Sequence, residues 1–533
     1  MRYLSENKRE DMRMKKRTAA RSMAALMGAA MVLTACGGGN TTAPTTGASS
    51  GGETQTASES AESGKITKTD IVVGQASDIV TLDPAGQQDT TSGVLMKHAY
   101  STLLDVDNEG KVVPDLAESY EMKSDTEYVF KLREDACFWD GTPVTAQDVK
   151  FSLDRAKGMP KTKSNTSKIE EVTVNGDHEV TIKLTEPYAA FKTIVTQHNL
   201  SILSEKAVTE AGDSYGDVDN LLGSGPFKVT EWVPNDHYTL VRNDNYWGEM
   251  PIATSITCRV IPEGSARTIA LEAGEIDVVW SVDPTDCANV ESNPDVKLLS
   301  QPSTGIDYVG MNTQKEKFSD KRVRQAINYA LDKQTFVDTI IEGRGLVANS
   351  YINAAIPGWT DEVEAYPYDP EKAKELLAEA GYPDGFECSI FVNGDLRTRS
   401  AQILQAQLAD VGIKVDISTY EWGALLDTLN AGEHEMFLLG WSNTSFDPDG
   451  STYQLFYSGN HDKVDELILS AQRESEESKR MELYKELQFV LHDESPWCPL
   501  YYKENNVGVR ADLKGFTLHA GAQHYLGNCH YEE

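Results

Sequence analysis

Hydrophobic and polar residues in the second half of the chain follow the spacings of helices and strands. Between Asp320 and Leu331, apolar residues fall at positions 323, 326, 327, 330 and 331, which is the pattern of an amphipathic helix. Ser319 or Asp320 is the expected N-cap. We expect the side chains of Arg322 and Arg324 on the solvated face of this helix.

Similar patterns follow this helix along the chain. Ala373–Ala380 and Arg399–Val411 are predicted as two further helices, and the second is expected to stop at Gly412. Residues 413–417 then alternate as a half-buried strand. Helices that alternate with strands from 306 to 440 predict an α/β lobe in which helices cover the faces of a sheet.

The first half of the chain begins with strand patterns. The apolar run at residues 71–73 ends in a turn, and residues 128–133 alternate as a half-buried strand. A helix is predicted after Thr145, which is a good N-cap. Asp148, three residues later, completes a pair of the capping-box type.

The stretch Met436–Phe456 combines an apolar run with aromatic and polar groups. Residues 436–439 predict a strand, which we expect to break at Gly440 into the loop Trp441–Asp449. A strand that ends in a tryptophan and several hydrogen-bonding groups is typical of a ligand-contacting loop. The alternative is an ordinary surface loop with one half-buried tryptophan.

The N-terminus has the features of a bacterial export signal in their usual order. Basic residues between 15 and 21 precede the short apolar run Met23–Leu33, and Thr34, Ala35 and Cys36 follow. This end resembles the lipobox of bacterial lipoproteins, which implies lipidation of Cys36. A plain secretory signal that contains a cysteine is the alternative.

Residues 1–35 are accordingly predicted as a signal peptide, and residues 36–65 as a flexible tether, because Gly, Ser, Thr and Ala dominate the segment. A lipid chain at Cys36 anchors a protein to a membrane without spanning it. The expected location is therefore extracytoplasmic, on the outer face of the cell membrane in a Gram-positive organism or on the periplasmic side otherwise.

Composition narrows the class of protein further. A chain of 533 residues exceeds what one hydrophobic core usually supports, so two or three domains are expected. The net charge of −34 argues against nucleic acid as a partner. Six cysteines follow Cys36, and we expect most of them as buried apolar residues, with Cys498 and Cys529 as the one candidate disulfide.

No catalytic or metal-binding constellation stands out in the sequence. Asp447 and Asp449 flank a proline, which is typical of turn chemistry rather than acid–base catalysis. His519, His524 and His530 lack metal-ligand spacing and are expected to be solvated or half-buried. The sequence therefore predicts no enzyme activity, no cofactor and no metal.

Segments spread along the chain carry a specific resemblance. They are 112–155, Gly223–Phe227, Asn243–Trp247, Ala273–Asp277, Met311–Thr313, Phe318–Lys333 and Tyr368–Pro383. In this order they resemble the family 5 solute-binding proteins, the dipeptide- and oligopeptide-binding receptors of bacterial ABC importers. The resemblance covers essentially residue 70 to the C-terminus.

The resemblance implies an α/β protein with the two-lobed fold of type II periplasmic binding proteins and an extra domain inserted in the first lobe. The implied boundaries are 66–105, 221–303 and 500–533 for lobe I, 106–220 for the inserted domain and 304–499 for lobe II. Hinges are expected where strands cross between the lobes, near Pro302–Ile306 and Pro499–Tyr502.

The resemblance also implies a ligand site between the lobes. The candidate ligand contacts are Arg397, Arg399, Tyr420, Trp422, Trp441, Ser442, Asn443, Thr444 and Asp447. Trp422 and Trp441 are expected as aromatic walls, although core packing is the alternative for each. Arg397 or Arg399 is expected to bind a peptide carboxylate, because a guanidinium offers two parallel donors, unless both are surface charges.

One position departs from the family pattern. In the dipeptide and oligopeptide receptors an aspartate three positions after the loop tryptophan pairs with the peptide ammonium, and Thr444 stands there in this chain. Either Asp447 or Asp449 takes over that role, or the ligand is not a short peptide held by its amine. The loop also resembles that of glutathione-binding members, in which the aspartate is missing as well.

The predicted function is that of the lipid-anchored, monomeric substrate-binding subunit of an ABC importer. It is expected to capture a peptide or peptide-like solute and to deliver it to a permease driven by a partner ATPase. The alternatives are a receptor for a metal chelate, haem or sugar, an extracellular hydrolase on the same scaffold, and a ligand sensor that signals through a membrane partner.

Overall fold

The computed structural model describes residues 65–533 of the chain. The predicted signal peptide, Cys36 and the predicted tether up to residue 64 lie outside the described residues. None of the helices between residues 65 and 533 has the length and hydropathy of a bilayer-spanning helix.

Strands and helices alternate along the described residues. The strands are β1 Ile66–Lys68, β2 Asp70–Gln75, β3 Leu104–Val106, β4 Val112–Pro114, β5 Ala117–Ser124, β6 Glu127–Leu132, β7 Ile169–Gly176, β8 Glu179–Leu184, β9 Phe227–Val233, β10 His237–Arg242, β11 Ser255–Val260, β12 Val278–Val279, β13 Val296–Met311, β14 Gly345–Val347, β15 Glu387–Val392, β16 Lys414–Thr419, β17 Met436–Ser442, β18 Trp497–Arg510 and β19 Tyr531–Glu532. The helices are α1 Thr90–Ala99, α2 Ala146–Lys157, α3 Lys163–Thr166, α4 Phe191–Ile194, α5 Glu205–Ala211, α6 Gly264–Glu272, α7 Pro284–Ser292, α8 Glu316–Ser319, α9 Lys321–Ala330, α10 Lys333–Thr339, α11 Pro370–Glu379, α12 Gly394–Ala409, α13 Trp422–Asn430, α14 Asp449–Phe456, α15 Lys463–Arg473 and α16 Glu477–Glu494.

A mixed sheet runs through the molecule, and its two longest strands, β13 and β18, belong to both of its halves. In the first half the strand order is β13-β18-β12-β2-β11-β10-β9. In the second half it is β16-β15-β17-β13-β18, with β14 on the far side of β18. Apolar residues of α9–α12 pack against β13, β15 and β17, so the α/β lobe predicted between 306 and 440 is confirmed.

The pairing of β13 with β18 is interrupted where the chain passes from one half to the other. Pro302 pairs with Glu504, Ile306 pairs with Tyr502, and the register shifts between these two pairs. The interruption coincides with the expected hinge near Pro302–Ile306, and the hinge motion itself stays a prediction.

A separate four-stranded sheet, ordered β5-β6-β8-β7, lies within the segment 106–220. It packs against α2 around a hydrophobic core of its own, whereas the inserted-domain boundaries stay a prediction. The capping box predicted at the start of α2 is confirmed. The Thr145 hydroxyl accepts from Asp148 N, and the Asp148 carboxylate accepts from Thr145 N at 3.0 Å.

The helix α9 confirms its predicted N-cap and corrects one of its arginines. The Asp320 carboxylate accepts a hydrogen bond from Arg322 N. Arg324, expected in solvent, is buried. Its guanidinium donates to the main-chain carbonyls of Phe318, Ser319, Glu494 and Ser495. The carbonyls at the end of α16 come from about 170 residues away, so the local apolar pattern carries no sign of them.

The third predicted helix begins earlier than expected. The helix α12 starts at Gly394, so Arg397 lies in its first turn rather than before it, and Arg399 lies in its second turn rather than at its start. Gly394 has a φ of +73°, a backbone conformation that favours glycine and that turns the chain from β15 into the helix. The helix predicted as Ala373–Ala380 likewise starts three residues earlier, at Pro370.

Two predictions are wrong: the candidate disulfide between Cys498 and Cys529, and the solvated or half-buried positions of three histidines. Cys498 lies in the core beneath α9–α12, Cys529 lies in a different core next to β2, and both thiols are free. His519, His524 and His530 are all buried. No group of three or more His, Cys, Asp or Glu side chains between residues 65 and 533 is arranged to hold a metal ion.

Candidate functional site

The strand β17 continues past the point where the sequence predicts a break. Gly440 pairs with Asp307 and Trp441 pairs with Ile306, so the strand extends to Ser442. Gly440 is required there, because a Cβ atom would lie only 2.4 Å from Asp307 Oδ1. The expected loop Trp441–Asp449 is therefore shorter, and residues 443–448, hereafter the tip loop, connect β17 to α14.

Asn443 organises the tip loop from within. Its amide Nδ2 donates to Asp447 O at 2.7 Å and to Ser451 Oγ at 2.9 Å. Its Oδ1 accepts from Ser445 N and from Ser445 Oγ. The side chain is only 1% exposed, so its hydrogen-bonding groups hold the loop and are not directed to solvent.

Both aspartates next to the tip-loop proline have protein partners. Asp447 is buried and forms an ion pair with the buried Arg480. Asp449 accepts from Tyr188 Oη at 2.6 Å and from Gln472 Nε2 at 2.9 Å. Burial, and then the neighbouring charge of Asp447, raise the pKa of Asp449 to about 6. Neither carboxylate is free in this structure.

Three of the expected aromatic contacts come together on one apolar cluster beside the end of β17. Tyr420, Trp422 and Trp441 pack against this cluster and are each half-buried. Trp441 Nε1 donates to Gly450 O at 3.0 Å, which fixes the plane of the indole. Ser442, the last residue of β17, is also half-buried. The cluster keeps part of each aromatic side chain exposed.

Arg397 and Arg399 lie on α12 in different surroundings. Arg397 is half-buried: one of its Nη atoms donates to Asn393 Oδ1 at 2.8 Å, while its buried Nε has no hydrogen-bond partner among residues 65–533. Arg399 is exposed. Burial raises the pKa of Asp283, at the start of α7, and the charge of Arg399 is one of those that oppose this rise. Of the two arginines, Arg397 has the spare donor that a carboxylate can accept.

Asp307 on β13 is a buried carboxylate on which the charge of Arg397 acts. Its buried carboxylate accepts from Lys503 Nζ at 2.9 Å and from Tyr501 Oη at 3.3 Å. Burial alone raises the pKa of Asp307, but the charges of Lys503 and Arg397 lower it below its usual value. The charges of two cations, Lys503 and Arg397, therefore act on this one carboxylate.

The tip loop and the helices that follow it contact the segment 165–197, which lies in the predicted inserted domain. Thr444 Oγ1 donates to Gln197 Oε1 at 2.9 Å. Four further pairs join the same two surfaces: Tyr188 with Asp449, Ala189 N with Gln472 O, Gln454 with Asn165, and Arg473 with Glu186. The contact is therefore a continuous surface rather than a single hydrogen bond.

Sequence reasoning missed the partners in this contact. Gln197 and Tyr188 are separated from Thr444 and Asp449 by 247 and 261 residues, and no periodic pattern links such distant positions. The one available sign is the Asp-Pro-Asp sequence itself, because buried carboxylates require hydrogen-bond or charge partners.

Comparisons with known proteins agree with this architecture. The model of the family "Bacterial extracellular solute-binding proteins, family 5 Middle" matches residues 111–463. The dipeptide-binding protein of Escherichia coli strain K12 is 30% identical over 470 residues, which cover 79% of this chain and 86% of that protein. The glutathione-binding protein GsiB of the same strain is 30% identical over 479 residues, covering 84% and 92%.

A solved structure shows the same fold. The periplasmic binding protein DppA of Helicobacter pylori, associated with an ABC transporter and in complex with the peptide STSA, superposes with a TM-score of 0.83 at 28% identity. The match covers 88% of this chain and 99% of that chain. The chain therefore belongs to the family 5 bacterial extracellular solute-binding proteins, and it has their two-lobed α/β fold of the type II periplasmic binding proteins.

Proposed function

We propose that this protein is the substrate-binding subunit of an ABC importer and that it captures a peptide or peptide-like solute between its two lobes. The observation that supports this most directly is the tip loop. It projects from the end of β17 and contacts the segment 165–197, so a solute beside it is enclosed from two sides. The similarity to dipeptide- and glutathione-binding proteins supports the same class of ligand.

Capture occurs by a hinge motion about β13 and β18. The register shift between Pro302 and Ile306 is the weak point in the pairing of these strands. The contacts between the tip loop and the segment 165–197 correspond to the closed form and separate when the lobes open. Binding involves no bond making or breaking, and a partner ATPase supplies the energy for transport through the permease.

Arg397 binds a carboxylate of the ligand, because its Nε has no hydrogen-bond partner among residues 65–533 and a guanidinium is well suited to donate to an acid. The tip loop has no free carboxylate for a ligand ammonium: Asp447 is paired with Arg480, and Asp449 accepts from Tyr188. An unpaired buried ammonium is costly. The ligand is therefore an acid whose amine is blocked, absent or left in water.

Calorimetry with one peptide in three forms tests this assignment. We use Ser-Thr-Ser-Ala with free ends, with an acetylated amine and with an amidated carboxyl group. Acetylation should change the Kd by less than about threefold, whereas amidation should raise it by about tenfold or more, since hydrogen bonds to charged groups are worth about 1.5–3 kcal/mol. Loss of binding on acetylation overturns the proposed absence of an amine site.

Arg397→Gln should weaken binding of the free peptide by about tenfold or more. Arg399→Gln is the matched control, because Arg399 is on the same helix but exposed. Equal effects of the two substitutions contradict the role of Arg397.

If neither the peptide nor glutathione binds, native mass spectrometry of protein purified from its own host identifies the ligand. A metal chelate or a sugar found there rejects the peptide class.

The protein works outside the cytoplasm as a monomer held on the membrane by a lipid at Cys36. The order of basic residues, apolar run, Ala35 and Cys36 supports this anchor. Cys36→Ala should move the protein from the membrane fraction to the soluble fraction, whereas Cys137→Ala should not. Retention of the Cys36 variant on membranes argues against the anchor, and a dimer mass in size-exclusion chromatography argues against a monomer.

A further inference from the structure

Phe446, in the middle of the tip loop, has a backbone conformation that is unusual for a bulky residue. Its φ is +55°, in the left-handed region that glycine, asparagine and aspartate tolerate far better than phenylalanine. Such outliers persist only where the surrounding contacts over-determine them. The contacts that hold Phe446 are therefore informative about what the loop does.

The backbone on both sides of Phe446 is fixed within its own lobe. Asn443 bonds to Ser445 and to Asp447 O, and Asp447 is paired with Arg480. These contacts determine the path of the chain before and after Phe446. They do not determine where its ring lies, because none of them involves the side chain of Phe446.

The ring of Phe446 lies against residues of the other half of the molecule. A Cβ atom at Gly110, in the turn between β3 and β4, would lie 2.5 Å from Phe446 Cδ1. The His519 ring packs edge-on at a centroid distance of 5.5 Å, and a Cβ at Gly521 would lie 3.5 Å from the Phe446 ring. We call Gly110, His519 and Gly521 the Phe446 socket. Phe446 is 9% exposed in this position.

The socket is shaped to receive a ring. Gly110 has a φ of +82° and no side chain, so the ring of Phe446 takes the space that any other residue would fill. Val106, on the strand before this turn, belongs to the same apolar cluster as Phe446 and is 4% exposed. The socket thus continues an apolar surface on the first half of the molecule.

We propose that Phe446 is a positioning residue for ligand binding: its ring, seated in the Phe446 socket, holds the tip loop in its ligand-contacting conformation when the lobes close. The inference rests on the proposed closure of the lobes. When the lobes separate, the ring leaves the socket, and the contacts that help to hold the left-handed backbone conformation of Phe446 are lost. The loop then relaxes, and Thr444 leaves its contact with Gln197. Phe446 therefore acts on the lifetime of the bound state.

The alternative is that Phe446 is an ordinary core residue of the second half, because Ile352, Ile468 and Tyr484 belong to the same apolar cluster. The two roles differ in what they change. A core residue stabilises the protein with or without ligand, whereas a positioning residue slows ligand dissociation and has little effect on the ligand-free protein.

Phe446→Ala in the full chain distinguishes these roles. We measure association and dissociation rates for Ser-Thr-Ser-Ala and for glutathione, and the Tm of the ligand-free protein. We expect dissociation to be faster by about tenfold with an unchanged association rate and Tm, because interface contacts act mainly on dissociation. Phe446→Leu should restore most of the slow dissociation. A lowered Tm with an unchanged dissociation rate overturns the proposal.

Asn235→Gly is the matched control for backbone strain. Asn235 has a φ of +63° in the exposed turn between β9 and β10, remote from the tip loop in sequence. It should leave both rates unchanged. Phe446→Gly removes the ring together with the strain, so if it behaves like Asn235→Gly, the ring has no positioning role.

A disulfide test needs no knowledge of the ligand. A Cβ at Gly110 would lie 3.1 Å from Phe446 Cβ, shorter than the roughly 3.5–4.5 Å of a disulfide, so a small backbone shift brings two cysteines there within bonding range. The double variant Gly110→Cys and Phe446→Cys should form this bond on oxidation, detected as a loss of two mass units that neither single variant shows. Absence of the bond means that the two positions do not meet in solution and overturns the proposal. If the bond forms but neither Ser-Thr-Ser-Ala nor glutathione binds to the wild-type protein, only the proposed ligand class is wrong.

Discussion

Asp148 and Asp449 are both buried carboxylates near the start of a helix, but their partners come from very different places in the chain. Asp148 is bonded to Thr145, three residues away, and it also accepts from Glu205 N. Asp449 is bonded to Tyr188, which is 261 residues away and lies in the predicted inserted domain. The first carboxylate joins the starts of two helices, α2 and α5, within the predicted inserted domain, whereas the second joins parts of the molecule that the proposed closure brings together.

The largest effect should come from breaking the charge balance around the tip loop. Arg480→Met leaves the buried Asp447 without its cation, which should lower the free energy of unfolding by about 3–5 kcal/mol. Urea denaturation measures the change. Arg473→Met removes a half-exposed arginine from its pair with Glu186 and should cost less than about 1 kcal/mol. If the two variants lose equal free energy of unfolding, the buried ion pair of Asp447 is no more important than the exposed pair of Glu186.

The next effect depends on pH. Burial and the charge of Asp447 raise the pKa of Asp449 from 3.8 to about 6, so the folded protein holds this proton more tightly than the unfolded chain. The stabilisation from this group is complete below about pH 4 and is lost as the pH rises through 6. Relative to wild type, Asp449→Asn should therefore become more stable by about 1–3 kcal/mol between pH 4 and 7. If the free energies of unfolding of wild type and the Asp449 variant change with pH in parallel, the raised pKa of Asp449 is refuted.

A smaller effect is expected at the other side of the same contact. Tyr188→Phe removes the hydroxyl that donates to Asp449 and should cost about 1–2 kcal/mol. It should also weaken peptide binding, because the hydrogen bond joins the tip-loop side to the segment 165–197. Tyr368→Phe, at a tyrosine that is 47% exposed, serves as the control and should change neither quantity. If the Tyr188 variant binds the peptide with unchanged affinity, the hydrogen bond between Tyr188 and Asp449 does not contribute to closure of the lobes.

The smallest effect should come from the capping box that Thr145 forms with Asp148. Thr145→Ala removes the N-cap of α2 and should lower the free energy of unfolding by about 1 kcal/mol. Peptide affinity should not change, because the capping box lies within one helix. Calorimetric titration with the same peptide checks this, and a tenfold loss of affinity in the Thr145 variant removes the distinction between the two carboxylates.

The same distinction explains which features the sequence predicts well. The cap at Asp320, the capping box at Thr145 and the alternation of helices with strands depend on residues a few positions apart, and all three are confirmed. The family resemblance, which rests on motifs spread along the chain, is confirmed as well. Local spacing and motif order therefore suffice for the fold.

Features that depend on distant partners were wrong or incomplete. Arg324 has the spacing of a solvated residue, yet carbonyls at the end of α16 bury it. The strand β17 passes Gly440 because β13 pairs with it there, and Cys498 and Cys529 lie in separate cores. At the candidate site, the partners of Asp447 and Asp449 are likewise distant in sequence. The sequence alone therefore leaves open whether these carboxylates are free.

The shared strands also determine how the chain can be divided. Pro302 and Glu504 are directly opposite each other on β13 and β18, so the segment between them leaves and returns to the first half at neighbouring positions. The second half is thus one continuous piece of chain, whereas the first half is made of two pieces. A two-residue hairpin turn that replaces residues 303–503 would rejoin these pieces as a single shortened protein. Dissection of this molecule should therefore begin at that pair of residues.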